Sequence, residues 1–126
     1  MKIFLRFWIK KENKNFLGKG KIELLEHIKT TGSILKAAKN MRMSYKAAWD
    51  SVDSMNHLSR EPMVKSISGG KGGGGTALTP EGEEAIAVFK QLERAMGRLE
   101  EYFSQSQNLD ELEKKITFLE DKLASL

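Results

Sequence analysis

Residues 33–59, SILKAAKNMRMSYKAAWDSVDSMNHLS, decide the fold. Ser33 precedes a short run in which Ile34, Leu35, Ala37, Ala38 and Met41 recur at helical spacing. Ser44 precedes a longer run reaching to about Ser59. A serine hydroxyl that accepts from a first-turn N–H is a favourable helix start, so both serines are expected to be caps. Asn40 to Met43 leaves room only for a tight connection. Two short helices joined by a turn, the second longer, form a helix-turn-helix pattern. At 100° per residue, Ala48, Val52 and Met55 share the core side of the second helix, with Tyr45 at its margin. Lys46, Asp50, Asp53 and His57 lie opposite, and Trp49 sits on the flank between.

Upstream, Ile3, Leu5, Phe7 and Ile9 alternate with Phe4, Arg6 and Trp8, which predicts a strand followed by a charged turn at Lys10–Lys14. Ile22, Leu25 and Ile28 stripe a helix over about 20–29, which Gly32 is placed to end in the left-handed region. Downstream, Met63–Ile67 and Ala77–Leu78 read as strands flanking SGGKGGGGT, residues 68–76, a flexible basic loop. Strand, glycine loop and strand make a β-hairpin wing whose tip carries little side-chain bulk.

Thr79 and Pro80 suit the cap and first position of a further helix, and Glu81, Glu83 and Glu84 suit its positive end. Ala85, Phe89, Leu92, Met96, Leu99 and Phe103 then step by three or four. After the polar residues 104–107, Asn108 and Glu111 have capping-box spacing. The last helix reads as heptads, with Leu109, Ile116 and Leu123 at a and Leu112, Leu119 and Leu126 at d; Lys115 at g would face Glu120 of a partner helix. So short a helix needs packing, and its narrow apolar seam favours a second copy. The expected class is mainly α with a small β wing. A winged helix-turn-helix domain would span 1–103 (wing about 63–79, linker-type helix 80–103), and a dimerisation helix would span 104–126.

Composition narrows the function. The 126 residues carry a net charge of +4, divided into +9 for residues 1–79 and −5 for residues 80–126. A basic front suggests a polyanionic partner, although an uneven solvated surface gives the same balance. The chain has no cysteine, and its two histidines, His27 and His57, lie far apart, so no metal site is expected. No apolar run approaches the ~20 residues of a membrane span, and the charged start does not read as a signal peptide. A cytoplasmic protein is the expectation. GGKGGGGT does not end in the Lys-Ser/Thr of a phosphate-binding loop, and no helix follows it directly. Adjacent carboxylates such as Glu83–Glu84 diverge by 100° and read as solvated faces, so no enzyme is expected.

SYKAAWD at 44–50, Met55–Asn56 and GGKGGGG at 69–75 together resemble the N-terminal domain of the ModE family of molybdate-responsive regulators. The resemblance runs from about Ile3 to about Phe103. Leu78-Thr79-Pro80-Glu81-Gly82 also resembles the junction after the wing in many winged-helix regulators. It implies a winged helix related to those of LysR regulators, DNA binding and dimerisation. Members of the family typically continue into oxyanion-binding domains, which this sequence does not reach, so molybdate sensing is not carried over. A molybdate or tungstate response rests on family analogy alone, without a visible site, and no cofactor is expected.

The residues expected at DNA are Ser33, Lys36, Arg42, Ser44, Tyr45, Lys46, Trp49, Asp50, Gly70, Lys71, Gly72 and Gly73, with Lys39 as a further backbone contact. Ser44 and the helix start would hold a phosphate, Lys46 a phosphate or guanine, and Asp50 a cytosine amino group. Trp49 either stacks on the sugar–phosphate backbone or closes the core edge, and its place in the motif favours the groove. Lys71 would lie at the minor groove. Lys36, Lys39 and Arg42 read equally as solubilising surface charges. Dimerisation would use Leu109, Leu112, Ile116, Leu119 and Leu123. The expected function is a homodimeric, sequence-specific regulator on a palindromic double-stranded site. The alternative is a winged-helix protein whose heptad helix binds a protein partner.

Overall fold

The computed structural model describes residues 1–70 and 73–126, in which two small antiparallel hairpins frame a helical core. In chain order these are β1 (Ile9–Lys11), β2 (Lys14–Leu17), α1 (Lys19–Thr31), α2 (Ile34–Asn40), α3 (Tyr45–Leu58), β3 (Val64–Gly70), β4 (Gly73–Leu78), α4 (Pro80–Ser104) and α5 (Leu109–Ala124). This is the winged helix with C-terminal helices that the sequence predicts. The chain forms two compact units, Phe7–Lys90 and Met1–Arg6 with Gln91–Leu126.

In the first unit, α1 buries Ile22, Leu24, Leu25 and Ile28. Removing such side chains from water stabilises by about 1.5–3 kcal/mol each. Ala37 and Ala38 of α2 and Ala48 of α3 are equally buried, and their small size lets the three helices approach closely. Gly32 ends α1 with φ +69° and sends its N–H to the Ile28 carbonyl (2.8 Å), so the tight turn into α2 rests on glycine's freedom there. Ser33 Oγ accepts from Lys36 N (3.1 Å) and Ser44 Oγ from Ala47 N (3.0 Å), which starts α2 and α3 where the serines predict. Val64 and Met63 close the core from the wing side, and Phe89 of α4 stacks on Phe7 at 5.1 Å between ring centres.

Two expectations are corrected here. The first hairpin is β1–β2, not a long strand over 3–9; Glu12 and Asn13, with φ of 53° and 62°, make the reversal within the charged stretch. Both turn residues have positive φ, the geometry whose twist matches paired strands. The wing also departs from a free loop over 68–76. Its strands run on into the glycines, with Ile67 opposite Gly75 and Gly70 opposite Gly73 after an irregularity. Glycine is a weak strand former, so main-chain pairing rather than side-chain pattern extends the ladder.

In the second unit, residues 1–6 follow the C-terminal part of α4, where the N–H groups of Ile3 and Leu5 donate to Ser104 Oγ (2.8 Å) and Glu100 Oε2 (2.6 Å). Asn108 Oδ1 accepts from Glu111 N (2.9 Å), while Glu111 Oε2 accepts from Gln107 N (2.7 Å), a reciprocal cap that starts α5. Lys115 Nζ donates to the Tyr102 carbonyl (2.9 Å) and lies over the Tyr102 ring, so its charge is engaged within its own chain. Leu112 and Leu119 are half-buried, Leu109, Ile116 and Leu123 are exposed, and Leu126 lies beyond the helix end.

Candidate nucleic-acid interface

The outer face of α3 carries Lys46, Asp50, Asp53 and His57, all exposed, opposite the buried Ala48, Val52 and Met55. Tyr45 and Trp49 are about half exposed, 50% and 47%. Both therefore stand between the buried face and solvent. Lys46 and Asp50 form an i,i+4 ion pair at 2.8 Å, fully in solvent. The hydrogen bond to Asp50, then its charge, raises the Lys46 ammonium above its ordinary value. The pair thus presents a donor and an acceptor side by side rather than a free lysine. One turn on, His57 Nδ1 lies 3.4 Å from Asp53.

Between α3 and the wing lies an open cleft of about 590 Å³, its walls including Ser33, Tyr45, Trp49, Asp53, Lys65 and Ser66. The cleft is held open by three fastenings. Thr76 N donates to the Gly32 carbonyl (2.9 Å), tying β4 to the turn between α1 and α2. A Cβ on Gly75 would come within 2.7 Å of that same carbonyl, so only glycine allows the approach. The side-chain amide of Asn56 reaches from α3 to β3, accepting from Met63 N and Val64 N and donating to the Val64 carbonyl.

A fourth contact sets the exit into α4. A Cβ on Gly82 would run into the Met63 carbonyl, which also accepts from Thr79 N at 3.0 Å. Thr79 Oγ1 accepts from Gly82 N (3.2 Å), completing the expected cap. Arg60 pairs with Glu81 at 3.1 Å and Lys29 with Glu83 at 2.9 Å, pinning the first turn of α4 against α1 and the end of α3. The hydrogen bond to Glu81 and its charge raise the Arg60 guanidinium further above its already high value.

Of the residues singled out from the sequence, Ser33, Ser44, Tyr45, Lys46, Trp49 and Asp50 surround one cleft and helix face. Lys36, Lys39 and Arg42 are exposed on α2 and its turn, Arg42 with φ 55°. Gly70 and Gly73 face each other across the wing ladder, and Lys71 and Gly72 lie outside the described residues. Lys65 and Ser66 went unnoticed because they sit inside a predicted strand. Their signal was a lone lysine flanking the glycine run. Among the described residues no three His, Asp or Glu side chains gather as a metal site. No helix there is long and apolar enough to cross a membrane.

No protein-family model matches the chain. Curated proteins do. A molybdenum-pterin-binding protein MopB from Rhodobacter capsulatus is 45% identical over 97 residues, 77% of this chain and 36% of that protein. The chain is a relative of the ModE regulators. The molybdenum transport protein ModE of Azotobacter vinelandii is 48% identical over 85 residues, 64% of this chain and 32% of the relative. The DNA-binding transcriptional dual regulator ModE of Escherichia coli K12 is 43% identical over 84 residues, 67% of this chain and 32% of the relative. The chain therefore spans about a third of the length of the curated ModE and MopB proteins it matches. Their names describe a molybdenum-pterin-binding protein, a molybdenum transport protein and a transcriptional regulator.

Proposed function

We propose that the chain is a regulator of transcription that binds a specific double-stranded DNA sequence as a homodimer. The observation that supports this best is the cleft between α3 and the wing, a concave surface lined by Tyr45, Trp49 and Lys65, beside the exposed α3 face that carries the Lys46–Asp50 pair. In this reading α3 enters a major groove. Ser44 and the first N–H groups of α3 meet a phosphate at the positive end of the helix dipole. Lys46 donates to a guanine edge while Asp50 accepts from a neighbouring cytosine amino group. Their mutual pairing in the free protein keeps both side chains aimed along the groove face. Trp49 and Tyr45 pack on sugar, and Lys65 joins Lys36, Lys39, Arg42 and Lys71 on the backbone.

Two copies joined through α5 would present their α3 helices to half-sites about 34 Å apart, or a multiple of that, on an imperfect palindrome. The relatives named as transcriptional regulators support regulation. The molybdenum in the names of the others is left with those proteins. The test is to sequence the genomic fragments the purified protein retains and to measure affinity for the recovered duplex across a salt series. A shared inverted repeat whose binding weakens steeply with salt is expected. Fragments without a common sequence, or an affinity indifferent to salt, would overturn the reading.

A further inference from the structure

The first six residues belong to no strand of the fold, yet their main chain alternates between α4 and solvent. Ile3 and Leu5 turn their N–H groups toward α4, and the Ile3 carbonyl meets Ser104 Oγ as well. Their side chains are half-buried, whereas Lys2, Phe4 and Arg6 are exposed. This alternation is that of an extended strand, in which successive residues direct main-chain groups to opposite edges. Among the described residues, the N–H groups of Lys2, Phe4 and Arg6 have no hydrogen-bond acceptor. Phe4, at 76% exposure, stands on the outer face of this edge. Proteins usually cover or interrupt such an edge because it templates strand pairing.

We propose that this edge pairs antiparallel with the same segment of a second copy, an inference that rests on the homodimer reading above. A two-fold axis makes a strand edge its own complement, and the exposed side chains choose the register. Centred on Phe4, the pairing sets Lys2 opposite Arg6 of the second copy, a like-charge contact that works against it. Centred on Ile3, it sets Lys2 beside the Phe4 ring. Centred on Leu5, it sets each Arg6 guanidinium beside a Phe4 ring, and arginine is the cation that such rings hold most often. The last register pairs Phe4 and Arg6 twice and satisfies their main-chain groups on both copies. Residues 1–6 belong to the same compact unit as α5, the helix whose exposed a positions are proposed above to meet a second copy.

The chain has no cysteine, which makes the test direct. Phe4→Cys and Arg6→Cys proteins are prepared separately, mixed while reduced, and then oxidised. Directly paired strand residues lie about 5.5 Å apart at Cα, within disulfide reach. Two copies of position 4 would be about 8 Å apart in this register, beyond it. A covalent dimer in the mixture, absent from either variant alone, is the expected result. A covalent dimer from Phe4→Cys alone overturns the register. No cross-link in any sample, with light scattering still giving a dimer mass, overturns the strand pairing and leaves the homodimer standing. A monomer mass for the unmodified chain at micromolar concentration removes the homodimer and the pairing together.

Discussion

The side-chain amide of Asn56 holds both main-chain polar groups of Val64, accepting from its N–H and donating to its carbonyl at 3.1 Å each. The same oxygen accepts from Met63 N at 2.8 Å. One residue of α3 thus sets where the wing begins, and with it the width of the cleft. Asn56→Ala would strand these part-buried groups at a cost of about 1–3 kcal/mol, read as a lower urea midpoint with an unchanged slope. Asn56→Asp keeps the acceptor and loses the donor, and is expected to fall between. An unaltered midpoint for the alanine variant would mean that the amide is not what fastens the wing.

The helices were legible before the structure because their signals are local. Ser33, Ser44, Thr79 and Asn108 act as the caps they resemble, and the apolar residues of α1, α3 and α4 fall on the faces their spacing implies. The fastenings of the cleft were not legible. Asn56, Gly75 and Gly82 act on main chain that is 7 or more residues away in sequence, and neither periodicity nor capping encodes such a partner. The strand over residues 3–9 misled for a related reason. Its alternation is real, but an alternating stretch becomes a paired strand only where a neighbouring chain offers matching groups, and for residues 1–6 those groups are side chains of α4.

Two glycines on α4 separate packing from propensity. Gly82 abuts the Met63 carbonyl, so Gly82→Ala forces backbone apart and is expected to destabilise by roughly 1–3 kcal/mol. Gly97 has nothing within reach of an added Cβ, and alanine there is expected to stabilise by up to about 1 kcal/mol. Thermal melts of the two variants should therefore move in opposite directions. Equal shifts would show that the close approach at Gly82 is not the controlling contact.

On the face of α3 proposed to meet DNA, the Lys46–Asp50 pair predicts different penalties for its two members. Lys46→Ala removes a donor and should weaken the retained duplex on the order of ten- to a hundredfold, with a smaller loss on unrelated duplexes. Asp50→Asn removes a charge that repels phosphate while leaving an acceptor. It is expected to tighten binding to unrelated duplexes and narrow the ratio between specific and unrelated sites. Competition gel shifts measure both ratios. Equal losses on every duplex for Lys46→Ala would reduce that lysine to a phosphate contact.

The last prediction concerns the seam of α5, whose two heptad positions differ in what they already touch. Leu112 and Leu119 are half-buried within the chain, whereas Ile116 is 41% exposed and Leu123 57%. A charge at Ile116 should therefore act on the contact between copies more than on the fold of either one. Ile116→Lys is expected to convert the dimer to a monomer in sedimentation equilibrium while leaving the helical circular-dichroism signal intact. Leu112→Lys should disturb both, because it also opens packing within its own unit. Since a two-fold site is held by both copies at once, Ile116→Lys should also lower affinity for the full palindrome far more than for a half-site. Dimer mass retained in Ile116→Lys would move the contact between copies away from this seam.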